Sequence, residues 1–172
     1  MLKKNHKGVK SLIETALLLK KQGDLEKSKS YLKEAIGIEP NNIIALNNIG
    51  TIYSLINKPE KAKVFFLRAI NIKQNYSSAI FNLALVHEET GNKKDAIRLY
   101  KEAIKCDPEN LGFWHSLFRI DETFFNENSI NNIKKILKKE NISDFNKASG
   151  LFILAYDQKR KNNVEKEFEY LE

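Results

Sequence analysis

Three histidines, a single cysteine and a few neighbouring carboxylates are the side chains of this 172-residue chain that could do chemistry. A metal site needs three or four His, Cys or carboxylate ligands converging on one point. His6, His87 and His115 lie far apart with no HxxxH or CxxC spacing, so no metal is expected. A cysteine nucleophile needs a neighbouring base to hold it as thiolate. Cys106, followed by Asp107 and Pro108, lacks one in sequence and reads as a small packing residue. Glu88 and Glu89 are consecutive, so on a helix their carboxylates diverge and read as a solvated face. The glycines at 8, 23, 37, 50, 91, 112 and 150 are isolated, and no GxxxxGK[ST] run offers backbone N–H groups to a phosphate. The chain is therefore expected to have no catalytic residues and no cofactor, which leaves binding as its role.

Composition narrows the setting. The seven Gly and three Pro suit long helices better than loops or low-complexity sequence, and 42% hydrophobic residues suffice for a core. The net charge of +7 is spread unevenly, with 19 basic and 12 acidic residues in 1–110 against 10 of each in 111–172. One cysteine excludes an intrachain disulfide, which fits a reducing compartment, so a cytoplasmic location is expected. The apolar run from Thr15 to Leu19 is too short for a signal-peptide core, and no stretch approaches the roughly 18 apolar residues of a membrane span.

The elements that must position any binding residues repeat with a fixed period. EAIGIEP (34–40), RAINIKQ (68–74) and EAIKCDP (102–108) stand 34 residues apart. The same period links Gly23, Asn57 and Gly91, residue types that tolerate the left-handed backbone just past a helix end. It also links Ser28, Ala62 and Ala96, and Ala16, Gly50 and Ala84, small side chains where two helices approach closely. Apolar residues recur at helical spacing, as in Leu46, Ile49, Ile52, Tyr53 and then Ala62, Phe65, Phe66, Ala69, Ile70. Each unit is thus a helix, a short turn and a second helix. Pro59 suits the first turn of one second helix, and Pro40 and Pro108 stop two others.

Leu46, Ile49, Gly50, Tyr53, Ala62, Phe66 and Ala69 resemble the tetratricopeptide repeat pattern, as do Ile80, Leu83, Ala84, Ala96, Tyr100, Ala103 and Pro108. Leu12, Ala16, Ser28, Leu32, Ala35 and Pro40 make a further unit. Departures are Gln74 for the usual Pro, His87 for the usual Tyr and Thr15 for a Leu. The resemblance implies an all-α fold, a right-handed superhelix of antiparallel helix pairs with a concave face lined by the first helix of each pair. About five repeats are expected. A basic tail (1–8) precedes three regular units (9–42, 43–76, 77–110), a degenerate fourth (111–147) and an incomplete fifth (148–172). In the fourth, Trp114, Leu117 and Phe118 keep the pattern, but the polar segment Asp121 to Ser129 delays the second helix with Ile130, Ile133, Ile136 and Leu137. In the fifth, Ala155 stands seven residues before Asn162, as Ala16 does before Gly23.

Within that frame Asn48 and Asn82 share one repeat position, the sixth residue of successive first helices, which the resemblance places on the concave groove. An amide both donates and accepts, so a column of them can pair with the main chain of an extended peptide. Neighbouring helices lie roughly 8 to 10 Å apart, about three residues of extended chain at roughly 3.3 Å each. The column resembles that of the O-linked N-acetylglucosamine transferases, though Glu14, Ser116 and Ile153 interrupt it. Ile13, Leu17, Ile44, Phe81 and Leu85 are the apolar groove candidates. The basic clamp with which some tetratricopeptide domains hold a chaperone's C-terminal carboxylate is not matched, since its places carry Ile13, Leu17, Ser78 and Asn82. The expected partner is a protein or extended peptide, held by an adaptor or scaffold.

The remaining features point less directly. Residues 129–172 resemble the segment that joins a repeat array to the enzyme in bacterial tetratricopeptide–sulfotransferase fusions. That implies an alternative, in which the chain is the repeat part of a sulfotransferase whose catalytic domain lies elsewhere. Phe168 and Leu171 have no later helix to cover them, so the C-terminal helix is expected to meet a second copy or a downstream domain. Lys134, Lys135, Lys138 and Lys139 cluster on the outward side of Ile133 and Ile136 and read as a solvated face. Neither nucleic-acid nor membrane binding is expected.

Overall fold

The computed structural model describes residues 6–171, and the side chains of all of these except His6, Lys7, Val164, Phe168 and Leu171. The chain is all-helical over that span. Its elements are α1 (His6–Lys21), α2 (Leu25–Ile38), α3 (Ile43–Leu55), α4 (Pro59–Ile72), α5 (Ser77–Glu89), α6 (Lys93–Cys106), α7 (Leu111–Ile120), a 3-10 turn (Glu122–Phe124), α8 (Glu127–Leu137), α9 (Asp144–Arg160) and α10 (Val164–Leu171). They fall into two compact units, Met1–Ala96 and Ile97–Glu172, so the boundary lies inside α6.

In the first unit the hairpin turns are built alike. Gly23, Asn57 and Gly91 have φ of 84°, 55° and 79°. This left-handed residue turns the next N–H back onto the preceding helix, from Asp24 to the Leu19 carbonyl (3.0 Å), Lys58 to Tyr53 (2.8 Å) and Asn92 to His87 (2.8 Å). Side chains cap the following starts: Asp24 accepts from the Lys27 N–H and Asn42 from the Ala45 N–H. Pro59 opens α4 at its first position, where no N–H is needed.

Small residues let the paired helices meet. Ala16, Ser28, Ala62 and Ala84 are fully buried. The Ser28 hydroxyl donates to the Ala16 carbonyl at 2.7 Å, so a polar side chain is satisfied in an apolar contact. A Cβ on Gly50 would sit 2.6 Å from the Phe66 ring, which itself is almost wholly buried.

The second unit follows the pattern less regularly. Between α7 and α8 the 3-10 turn replaces the left-handed residue, with Asp121 accepting from Thr123 and, at 3.1 Å, from Lys101. Trp114 donates its indole N–H to the Pro108 carbonyl (2.9 Å) and packs against Phe124 and Phe125. Asn126 caps α8. Helix α9, capped by Ser143, begins at Asp144, four residues ahead of position 148, the expected start of the fifth unit. Asn162 (φ 55°) ends the α9 turn, and the Asn163 N–H returns to the Gln158 carbonyl, so this turn repeats the geometry of the first unit. Asp157 is buried against Lys161 and Arg160. The expectation that Phe168 and Leu171 lack a cover concerns side chains outside the described residues.

Candidate peptide-binding face

The groove candidates all stand on the first helices α1, α3 and α5 of the first compact unit, and α3 touches both α1 and α5. Ile13, Leu17 and Ile44 come together with Val9 in a depression of about 330 Å³, whose wall also includes Lys10, Glu14, Glu39 and Asn42. Ile44 is 48% exposed. Ile13, by contrast, is buried at the floor of the depression and offers a partner little surface. Phe81 and Leu85 are half-buried on α5 and lie outside that depression.

The two asparagines do not stand as free amides. Asn48, largely buried, donates from Nδ2 to the Ile44 carbonyl one turn back (2.8 Å), and its Oδ1 accepts from Lys20 Nζ at 3.1 Å. Asn82 donates from Nδ2 to Asn47 Oδ1 at 2.9 Å, crossing from α5 to α3. The expected column is therefore a linked set, Lys20 to Asn48 and Asn82 to Asn47. An amide has two N–H groups and two lone pairs, so each retains capacity for a partner while its orientation is fixed by the bonds just named.

Lys20 and Asn47 join the candidate residues only through these bonds. Asn47 shares its repeat position with Ile13 and Phe81, which marks it as groove-facing. Lys20 gives less warning, since a lysine in the last turn of a helix reads as a partner for the helix dipole. Burial holds its ammonium pKa below the usual lysine range, and neighbouring Lys21 lowers it further. Both lysines join Glu14, Leu17 and Leu18 around a second depression of about 460 Å³.

Among the described residues no three His, Cys, Asp or Glu side chains converge as a metal set. Cys106 is half-buried, and burial, with Glu102 adding, raises its thiol pKa, the opposite of activation. His115 lies edge-on to Phe152 with ring centroids 5.0 Å apart, and burial, then Arg119, lowers its pKa. In the lysine cluster of α8, Lys139 pairs with Glu109, and Lys135 and Lys138 are exposed.

Three consecutive stretches, 9–42, 43–76 and 77–110, each match a family model described as tetratricopeptide repeat, together more than half of the chain. The chain belongs to the tetratricopeptide repeat family. Human protein O-mannosyl-transferase TMTC3 is 27% identical over 153 residues, 87% of this chain but 17% of that protein, so the chain spans about a sixth of this relative. Among solved structures, the first tetratricopeptide domain of Spaghetti (RPAP3) bound to the HSP90 peptide SRMEEVD has a TM-score of 0.64 at 17% identity, covering 70% of this chain and 95% of that one. MamA has a TM-score of 0.61 at 17% identity, covering 90% and 89%. At such identities these two likenesses are of fold. No helix among the described residues is long and apolar enough to cross a membrane.

Proposed function

We propose that this tetratricopeptide repeat protein is a non-enzymatic adaptor or scaffold that holds an extended peptide or protein segment on the face formed by α1, α3 and α5. The observation that carries the reading is the combination of oriented amides at Asn47, Asn48 and Asn82 with apolar Leu17 and Ile44 beside them. Amides serve the main chain of a partner, and the apolar depression takes a side chain. The Spaghetti (RPAP3) domain, a neighbour in fold, is bound to an HSP90 peptide, which supports the class of partner. Work in the cytoplasm, and coverage of the C-terminal helix α10 by a second copy or a further domain, belong to the same proposal.

The sulfotransferase-linked alternative rests on the pattern of residues 129–172 alone. TMTC3 is an O-mannosyl-transferase rather than a sulfotransferase, and it matches over about a sixth of its length.

Selection of random displayed peptides on the purified chain tests the proposal, with winners measured by fluorescence anisotropy. Ile44→Asp, at an exposed position, should weaken binding at least about tenfold by placing a charge in the apolar depression. Asn48→Ala with Asn82→Ala should cost about 1 to 3 kcal/mol in total, at about 0.5 to 1.5 per hydrogen bond. Replacing Lys134, Lys135, Lys138 and Lys139 by Gln should leave binding unchanged, and the reverse ranking would move the site to α8.

A further inference from the structure

The face of the first compact unit is sorted by charge along one row. The repeat puts Lys20 and Lys21, Ser54 and Leu55, and Glu88 and Glu89 at equivalent places, one pair in the last turn of each first helix. Because α3 touches both α1 and α5, the pairs succeed one another across the face. The Lys20 ammonium is turned toward α3 by its bond to Asn48, and Lys21 is exposed. Among the described residues neither lysine is paired with a carboxylate. Leu55 is 58% exposed in the middle of the row and Glu89 is exposed at its end.

We propose that this row selects extended peptides of opposed charge, with an acidic side chain over Lys20 and Lys21, an apolar one over Leu55 and a basic one over Glu89. The inference rests on the peptide-binding reading above and adds which peptides are taken. Helices roughly 8 to 10 Å apart, crossed by extended chain at roughly 3.3 Å per residue, give the pattern acid-x-x-apolar-x-x-base. Two lysines outweigh the partial negative charge of the α1 C-terminus, whereas at α5 the helix end and the glutamates act in the same sense on a basic side chain. An incoming carboxylate also supplies the counter-charge that the half-buried ammonium of Lys20, bonded among the described residues to the Asn48 amide alone, lacks; burial disfavours that charge. The recognised acid is a side chain, so no free chain terminus is required.

The test uses a library of random twelve-residue peptides displayed inside a carrier loop, both peptide ends blocked, selected on the full chain. The expected pool is enriched in Asp or Glu six residues from Lys or Arg, with an apolar residue midway. Selection on Lys20→Gln/Lys21→Gln should lose the acidic preference and keep the basic one. Glu88→Gln/Glu89→Gln should do the converse, and each double variant should bind a wild-type winner roughly threefold to fivefold more weakly. A pool without paired charges, one enriched in acids alone, or one unchanged by the variants overturns the inference while leaving peptide binding intact. A chain that enriches no peptide over the carrier overturns the peptide-binding reading itself.

Discussion

Two glycines that look alike in the sequence should respond oppositely to a single methyl group. Gly50 and Gly112 both lie in first helices, α3 and α7, where replacing Gly by Ala is worth up to about 1 kcal/mol of helix propensity. Both would also place a new Cβ against an aromatic ring, 2.6 Å from Phe66 in one case and 2.5 Å from Phe145 in the other. The difference is whether the ring can move. Phe66 is 1% exposed and stands between Gly50 and the rest of the α3–α4 core, so displacing it overpacks that core at about 1 to 3 kcal/mol. Phe145 is 69% exposed and can swing into solvent. Gly50→Ala should therefore be destabilising or at best neutral, by about 0 to 2 kcal/mol net, and Gly112→Ala neutral to mildly stabilising. Phe66→Leu should relieve Gly50→Ala in a double-mutant cycle. Urea denaturation at constant m-value reads all of these. A Gly50→Ala chain more stable than both the parent and Gly112→Ala would refute the packing of α3 on α4 described above.

Other expected outcomes concern the turns and the titrating groups. At Asn57, with φ of 55°, substitution by Val should cost about 1 to 2 kcal/mol and by Gly should be tolerated, as chemical denaturation will show. His115 has a folded pKa below its unfolded value, so its contribution is present above about pH 6.5 and is lost as pH falls through the depressed folded pKa. Melting temperatures between pH 7.5 and 5 should fall less steeply for His115→Gln than for the parent. The half-buried Cys106, its thiol pKa raised, should react with a thiol reagent at neutral pH more slowly than a free cysteine, and only denaturant should bring the rates together.

The turns were legible because backbone conformation restricts residue type. The 34-residue period marked Gly23, Asn57 and Gly91, and the seven-residue step from Ala155 marked Asn162; all four have positive φ. Close packing was legible in the same way, since the small residues Ala16, Ser28, Ala62 and Ala84 are all fully buried. The start of α9 was harder to read, because the exposed Phe145 breaks the apolar period there. Ser143, a capping residue ahead of Asp144, was the signal available. On the candidate face the sequence placed Asn48 and Asn82 but not what they bond to. The links from Lys20 to Asn48 and from Asn82 to Asn47 join residues 28 and 35 apart, and depend on rotamers and helix separation that no local pattern encodes. Ile13 shows the same limit, since one repeat position can be half-exposed in α5 and buried in α1.

The central claim is that α1, α3 and α5 carry the binding surface, and an NMR titration of the labelled chain with a selected peptide tests it most directly. The side-chain amide signals of Asn47, Asn48 and Asn82 and the methyl signals of Leu17, Ile44 and Leu55 should shift together and saturate at one affinity. Ile133 and Ile136 of α8, and Val64 and Leu67 on the exposed side of α4, should stay in place. Saturating shifts confined to α4 or α8, with the asparagine amides unmoved, would contradict it.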